Sequence, residues 1–139
     1  MYKQLLGATL CLLCLLLSGS AFAKLTVIVN PANSDPLDEK TVQRIFLGKE
    51  KKFASGTESI PVNQSPDNAL RHEFDETILG RNTSQVSAYW SKLVFTGKGI
   101  PPKEVMNDAE VIELVSKNPS VIGYVDSSSL TDAVKAIDL

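Results

Sequence analysis

The residues best placed to do chemistry lie in one stretch, Ile60-Pro61-Val62-Asn63-Gln64-Ser65-Pro66-Asp67-Asn68-Ala69-Leu70-Arg71-His72-Glu73-Phe74. It reads as a short strand, a tight polar turn and the first turns of a helix. Ser65 can N-cap that helix, Pro66 sits where a missing N–H costs nothing, and Asp67 suits the positive end of the dipole. Ser65, Asn68 and Arg71 then gather at the helix mouth, with Asn63 at the end of the preceding strand. Unpaired backbone N–H groups and a guanidinium fork together can hold an oxyanion. The plainer reading is a capped surface helix with an incidental arginine.

Other chemistries find little support. His72 is the only histidine, and its neighbours Arg71 and Glu73 point to other faces of the helix. A nucleophile, a base and a group to orient the base cannot be assembled around it, so no catalytic residue is nominated and the chain is not read as an enzyme. Asp75 and Glu76 are adjacent on the helix and do not face each other. Metal binding lacks a second histidine and any thiolate outside the first 23 residues. No cofactor is implied. Lys98 lies between two glycines, but Gly97-Lys98-Gly99 has neither the length nor the Lys-Ser/Thr ending of a P-loop.

The elements that must position the stretch alternate in kind. Leu25 to Asn30 is rich in β-branched residues and ends at Asn30-Pro31, a buried strand. A helix follows from about Asp38, with Val42, Ile45 and Phe46 on one face and Gly48 as its stop. Lys49 to Lys52 is a solvated charge run beside Phe53, and Gly56 turns the chain into the strand at Ile60. Leu70, Phe74 and Ile78 recur at four-residue steps and face a core until about Gly80. Thr83 or Ser84 can cap the next helix, whose Val86, Tyr89, Trp90, Leu93 and Val94 form a full apolar stripe suited to core packing. Phe95 to Pro102 must be a loop. Asn107 or Asp108 starts a helix stopped at Asn118-Pro119, and Val121 to Val125 is a strand in which Gly123 lets a neighbour approach closely. A polar turn at Ser127 to Ser129 precedes a last element ending near Ile137. This alternation predicts an α/β domain, a small sheet covered by helices, with ligands at strand ends beside helix N-termini.

Residues 1–23 have the form of a secretion signal: Lys3, an apolar run from Leu10 to Leu17, and the cleavage pattern Ala21-Phe22-Ala23. The alternative is a retained membrane anchor, which so short a run fits poorly. Cys11 and Cys14 both fall inside it, so residues 24–139 carry no thiol. The chain has 14 basic and 16 acidic residues; losing Lys3 with the signal leaves 13 against 16. That mild acidity argues against nucleic acid as a partner.

Three segments together resemble the phosphate-binding-protein-like family, the periplasmic substrate-binding components of phosphate transporters. Arg44-Ile45-Phe46-Leu47-Gly48-Lys49 is close to the family's "IFLGK". Ile60-Pro61-Val62 and the polar turn leading to Arg71-His72-Glu73-Phe74 fall where the family has its anion-contacting loop. Asn118-Pro119-Ser120-Val121-Ile122-Gly123-Tyr124-Val125 is close to "NPGAIGYV". The resemblance implies a type 2 periplasmic-binding-protein-like fold, of which this chain has length for about one lobe. It also implies a periplasmic location and a phosphate-class ligand. Two departures follow. The partner lobe, with its own ligands, is missing. The family's Arg, three residues on Ser-Gly-Thr, is replaced by Asn63 and by Asp67-Asn68-Ala69, and an aspartate repels a phosphate dianion.

The expected function is therefore solute binding, with phosphate or a similar oxyanion held by Ser65, Asn68, Arg71 and Asn63. An ABC transporter or sensor in the membrane is the expected partner, and a second copy of the chain could supply the missing wall. The alternative is an adaptor that keeps the fold without a ligand and docks a periplasmic or membrane partner through Phe53 and exposed members of the 86–95 face.

Overall fold

The computed structural model describes residues 24–139, and the expected secretion signal at 1–23 lies outside the described residues. Strands β1 (Leu25–Val29), β2 (Ile60–Gln64), β3 (Lys103–Val105), β4 (Val121–Asp126) and β5 (Lys135–Ile137) form one sheet in the order β3-β2-β4-β1-β5. β2 runs parallel to β3 and β4, while β1 is antiparallel to both β4 and β5. The helices are α1 (Glu39–Phe46), α2 (Ala69–Phe74), α3 (Thr83–Phe95) and α4 (Asp108–Lys117). A π-helical turn, Asp75–Leu79, extends α2 until Gly80 closes it at φ 66°. The chain thus has the α/β class and the mixed sheet flanked by helices that its alternating pattern predicts.

Side chains alternate across a sheet, so each central strand feeds two cores. Val27, Val29, Ile122 and Tyr124 face α1, α2 and α3, where Phe46 and Phe74 pack with them. The Phe74 ring stacks on Tyr124 at 4.0 Å, and Phe46 tilts against Phe74 at 4.7 Å. Ile28, Val62, Val121 and Val125 face the other way, onto Val111 and Val115 of α4. Gly123 makes that second contact possible, because a Cβ there would come within 2.5 Å of Val111 Cγ1. Asn30, buried just beyond β1, donates to the carbonyls of Val115 and Ser116 and so satisfies the end of α4.

Four details depart from the sequence expectations. Asn68, and not Ser65, caps α2, because residues 65–68 close a turn of their own through Asn68 N to Ser65 O at 2.9 Å. Asn82 caps α3 one residue earlier than expected, in a reciprocal capping box with Gln85. The expected α3 stripe is incomplete: Val86 and Trp90 are buried, Tyr89 and Leu93 half-buried, and Val94 is exposed. Phe53 is buried in the core beside the Lys52–Glu58 bridge, so it offers nothing to a partner. The structure also adds strand β3 at Lys103–Val105, between the expected loop and the expected helix, where no element was assigned.

Candidate functional site

Parallel strands β2, β3 and β4 end at one edge of the sheet, where the caps of α2 and α4 also lie. In open α/β sheets ligands sit at the carboxyl ends of strands. The candidate residues stand at this edge, and the geometry divides them into two groups.

Asn63 and Arg71 are buried and committed. Asn63 Oδ1 accepts from the Tyr124 hydroxyl at 2.5 Å and from Gln64 N at 3.0 Å. Burial pushes the Tyr124 hydroxyl far above the ordinary phenol range, so it remains a donor. Arg71 is 3% exposed. Its Nε donates to Asp75 Oδ2 at 2.8 Å, one helical turn on, and its Nη1 donates to Gln64 O at 2.9 Å. Glu104 approaches the same Nη1 at 3.7 Å. The expectation that Arg71 opens onto the helix mouth is corrected here: its guanidinium lies under the turn and ties α2 to the end of β2.

Asp75 is fully buried. Burial pushes its carboxyl above the ordinary range, and the charge and hydrogen bond of Arg71 pull the other way without cancelling it. Its Oδ1 has the Thr83 hydroxyl beside it, which also pulls the carboxyl down, and neither of these two buried oxygens has another hydrogen-bond partner among the described residues.

Ser65 and Asn68 lie higher and are partly exposed. Asn68 Oδ1 accepts from Leu70 N at 2.8 Å, while its amide donates to Gln64 Oε1 at 2.7 Å. Ser65 N donates to Val105 O, pinning the turn to β3. Buried Gln64 is the hub beneath: its Nε2 donates to Asp108 Oδ1 at 2.8 Å and to Tyr124 O at 3.0 Å. Asp108 Oδ2 in turn accepts from Asp126 N and from the Ser129 hydroxyl. The edge is therefore a connected polar network with carboxylates from Asp67, Glu104, Asp108 and Asp126 in or around it. Such a rim disfavours a dianion and tolerates a singly charged or partly screened one.

Gln64, Tyr124, Asp75 and Asp108 were not singled out from sequence. Asp75 had a signal, since it stands at i+4 from Arg71. Gln64 had another, as a long polar residue that follows Asn63 at the end of a strand that starts apolar. Tyr124 and Asp108 join only through the sheet topology. Among the described residues, no group of three or more His, Cys, Asp or Glu side chains could hold a metal ion.

The sequence matches no protein-family model and no curated protein. Solved structures do match. An ABC-type phosphate transport receptor from Vibrio cholerae is 19% identical at a TM-score of 0.63, over 81% of this chain and 44% of that one. A putative phosphate ABC transporter substrate-binding protein from Clostridium perfringens, solved with bound phosphate, is 18% identical at a TM-score of 0.65, over 81% and 43%. PstS from Borrelia burgdorferi is 14% identical at 0.61, over 81% and 46%. The chain shares their fold across less than half of their length.

Proposed function

We propose that this chain is an extracytoplasmic, solute-binding-type protein that takes a phosphate-class oxyanion with modest affinity at the turn Ser65–Asn68. The supporting observation is convergence: in a fold shared with phosphate-binding proteins, three parallel strand ends and the caps of α2 and α4 meet at that turn. The Ser65 hydroxyl and the outer side of the Asn68 amide are the donors within a ligand's reach. Arg71 acts from below, as a positioning charge that braces the turn. Ser65 and Asn68 are partly exposed, which leaves the anion wet on its outer side, and the carboxylate rim weakens it further. A second wall, from a partner subunit or a membrane transporter, is what would raise the affinity. Residues 1–23, as a cleaved secretion signal, would deliver the protein to the periplasm. Nothing in the site asks for catalysis.

The test is a thermal melt of the exported protein with and without inorganic phosphate or sulfate. Ligand at ten times Kd stabilises by about 1.4 kcal/mol, a rise of roughly 4–8 °C for a domain of this size. The rise is expected for phosphate and is expected to vanish in Ser65→Ala. A cooperative melt unmoved by any oxyanion overturns the binding reading.

A second reading has one specific observation in its favour. Asn63 and Arg71, the two buried candidates, are already partnered within the protein. A site so closed suits a docking module that keeps the fold without the ligand.

A further inference from the structure

The end of the sheet opposite the candidate site carries a different surface. The loop from Thr96 to Pro102 leads into the start of β3, next to the start of β2, and so lies where the parallel strands begin. Phe95, the last residue of α3, is 92% exposed, and Ile100 across the loop is 90% exposed. Val94 adds a third apolar side chain at 52%. Side chains this bare are not packing against the protein; they project from it.

Two shallow hollows of about 690 and 640 Å³ flank the projection and share Trp90 and Ile100 as walls. Lys51 and Lys98 border the first, and Lys51, Lys52 and Lys103 the second, with Glu50 and Glu58 the carboxylates there. Lys92 precedes Phe95 by three residues, on the same side of α3. All five of these lysines are exposed, and none of them is in an ion pair among the described residues. In a chain of net charge −2 this is a marked local excess of positive charge.

We infer that the loop Phe95–Ile100 is a membrane-contacting tip that seats on an anionic phospholipid surface, Phe95 and Ile100 entering the headgroup boundary and the lysines meeting the phosphates. Charge complementarity argues against a second copy, because a twofold pairing on this face sets lysine against lysine. Area argues against a stable protein partner: three projecting side chains supply at most about 500 Å², short of the roughly 800 Å² per partner of a stable complex. A bilayer asks for less, a few apolar side chains beside a basic cluster. The inference shares only the extracytoplasmic placement with the proposed function, and its test does not depend on oxyanion binding.

The experiment is co-sedimentation of the exported protein, its N-terminus verified by mass, with vesicles of phosphatidylcholine alone or with one part in three phosphatidylglycerol. Trp90, the only tryptophan, stands in the wall of both hollows and reports docking by its emission. Binding is expected only to the anionic vesicles, with a change in Trp90 emission, and weakening at high salt. Lys51→Glu with Lys98→Glu is expected to lower the partition coefficient roughly 25-fold or more, at about fivefold per lysine removed. Phe95→Ser with Ile100→Ser is expected to lower it at least tenfold with the melt preserved, since both side chains already face water. Inorganic phosphate leaves the partition unchanged. Absence of binding to the anionic vesicles overturns the inference, as does binding that the Phe95 and Ile100 substitutions leave intact.

Discussion

Replacing Arg71 by methionine separates a structural arginine from a ligand-binding one. An arginine waiting at the surface for an anion could be removed within about 0.5 kcal/mol. Arg71 instead holds a fully buried carboxylate and a strand-end carbonyl, at 2.8 and 2.9 Å. Breaking a buried pair from one side costs about 3–5 kcal/mol, against a total stability of order 5–15 kcal/mol. At roughly 4 °C per kcal/mol for a domain of this length, the melt should fall by about 12–20 °C. Asp75 can relieve part of that by taking a proton. Its folded-state pKa is already raised by burial, and losing Arg71 raises it further. A raised carboxyl binds more protons folded than unfolded, so stability falls as pH rises through the window above the ordinary carboxylate value. The deficit of Arg71→Met should therefore shrink as pH is lowered from 7 towards 4. The double variant Arg71→Met with Asp75→Leu, which removes both charges, should recover most of the loss. Circular dichroism melts of the four proteins decide the matter. An Arg71→Met melt within 2–3 °C of wild type, or a double variant as unstable as the sum of the singles, would refute the buried-pair account.

Further outcomes follow from single contacts. Gly123→Ala should destabilise by about 1–3 kcal/mol through overpacking, because its Cβ falls 2.5 Å from Val111 Cγ1 across the β4–α4 contact; an unshifted denaturation midpoint would show that α4 yields. Gly48→Ala combines a left-handed φ of 70° with a contact of 2.8 Å to the Trp90 ring, and should both lower the midpoint and alter Trp90 emission. Asn107→Ala removes the side chain that accepts from Glu110 N at 3.0 Å, and should cost about 1 kcal/mol in urea unfolding. Tyr124→Phe leaves Asn63 without its hydroxyl donor, for about 1–2 kcal/mol, with little change in m-value.

What was legible in the sequence was whatever local chemistry determines. Asp38, Gly48 and Asn107 mark helix ends by side chains that satisfy or release their own backbone, and they do so in the structure. Val121 to Val125 reads as a strand with a close approach at Gly123, and the structure buries it on both faces with Val111 against Gly123. The α2 cap was misread because Ser65 and Asn68 are both competent caps three residues apart. The choice between them was made by Ser65 N, which the Val105 carbonyl holds in the sheet. β3 escaped notice because three residues with one inward apolar side chain carry no period, and only pairing with β2 makes them a strand. Arg71 was misplaced for a related reason. Helical spacing puts it beside the turn, but whether it faces out or in depends on Asp75, Gln64 and the packing of α2 on β2. The candidate site was legible as a place and not as a set of free donors.

Positive charge is the common need of a phosphate ion and an anionic bilayer, and the chain distributes it unevenly. At the strand ends the one guanidinium is spent on Asp75 and a main-chain carbonyl, while carboxylates occupy the rim. At the other end of the sheet, lysines with no ion pair among the described residues stand around Phe95 and Ile100. The two proposals therefore carry different salt signatures. An anion at Ser65–Asn68 relies on short hydrogen bonds from a fixed turn and should lose little affinity between low and physiological ionic strength. Docking through solvated lysines should fall steeply over the same range, where the screening length shortens to about 8 Å. Measuring both against ionic strength on one preparation distinguishes a protein that carries an anion from one whose fold mainly supports a membrane-facing loop.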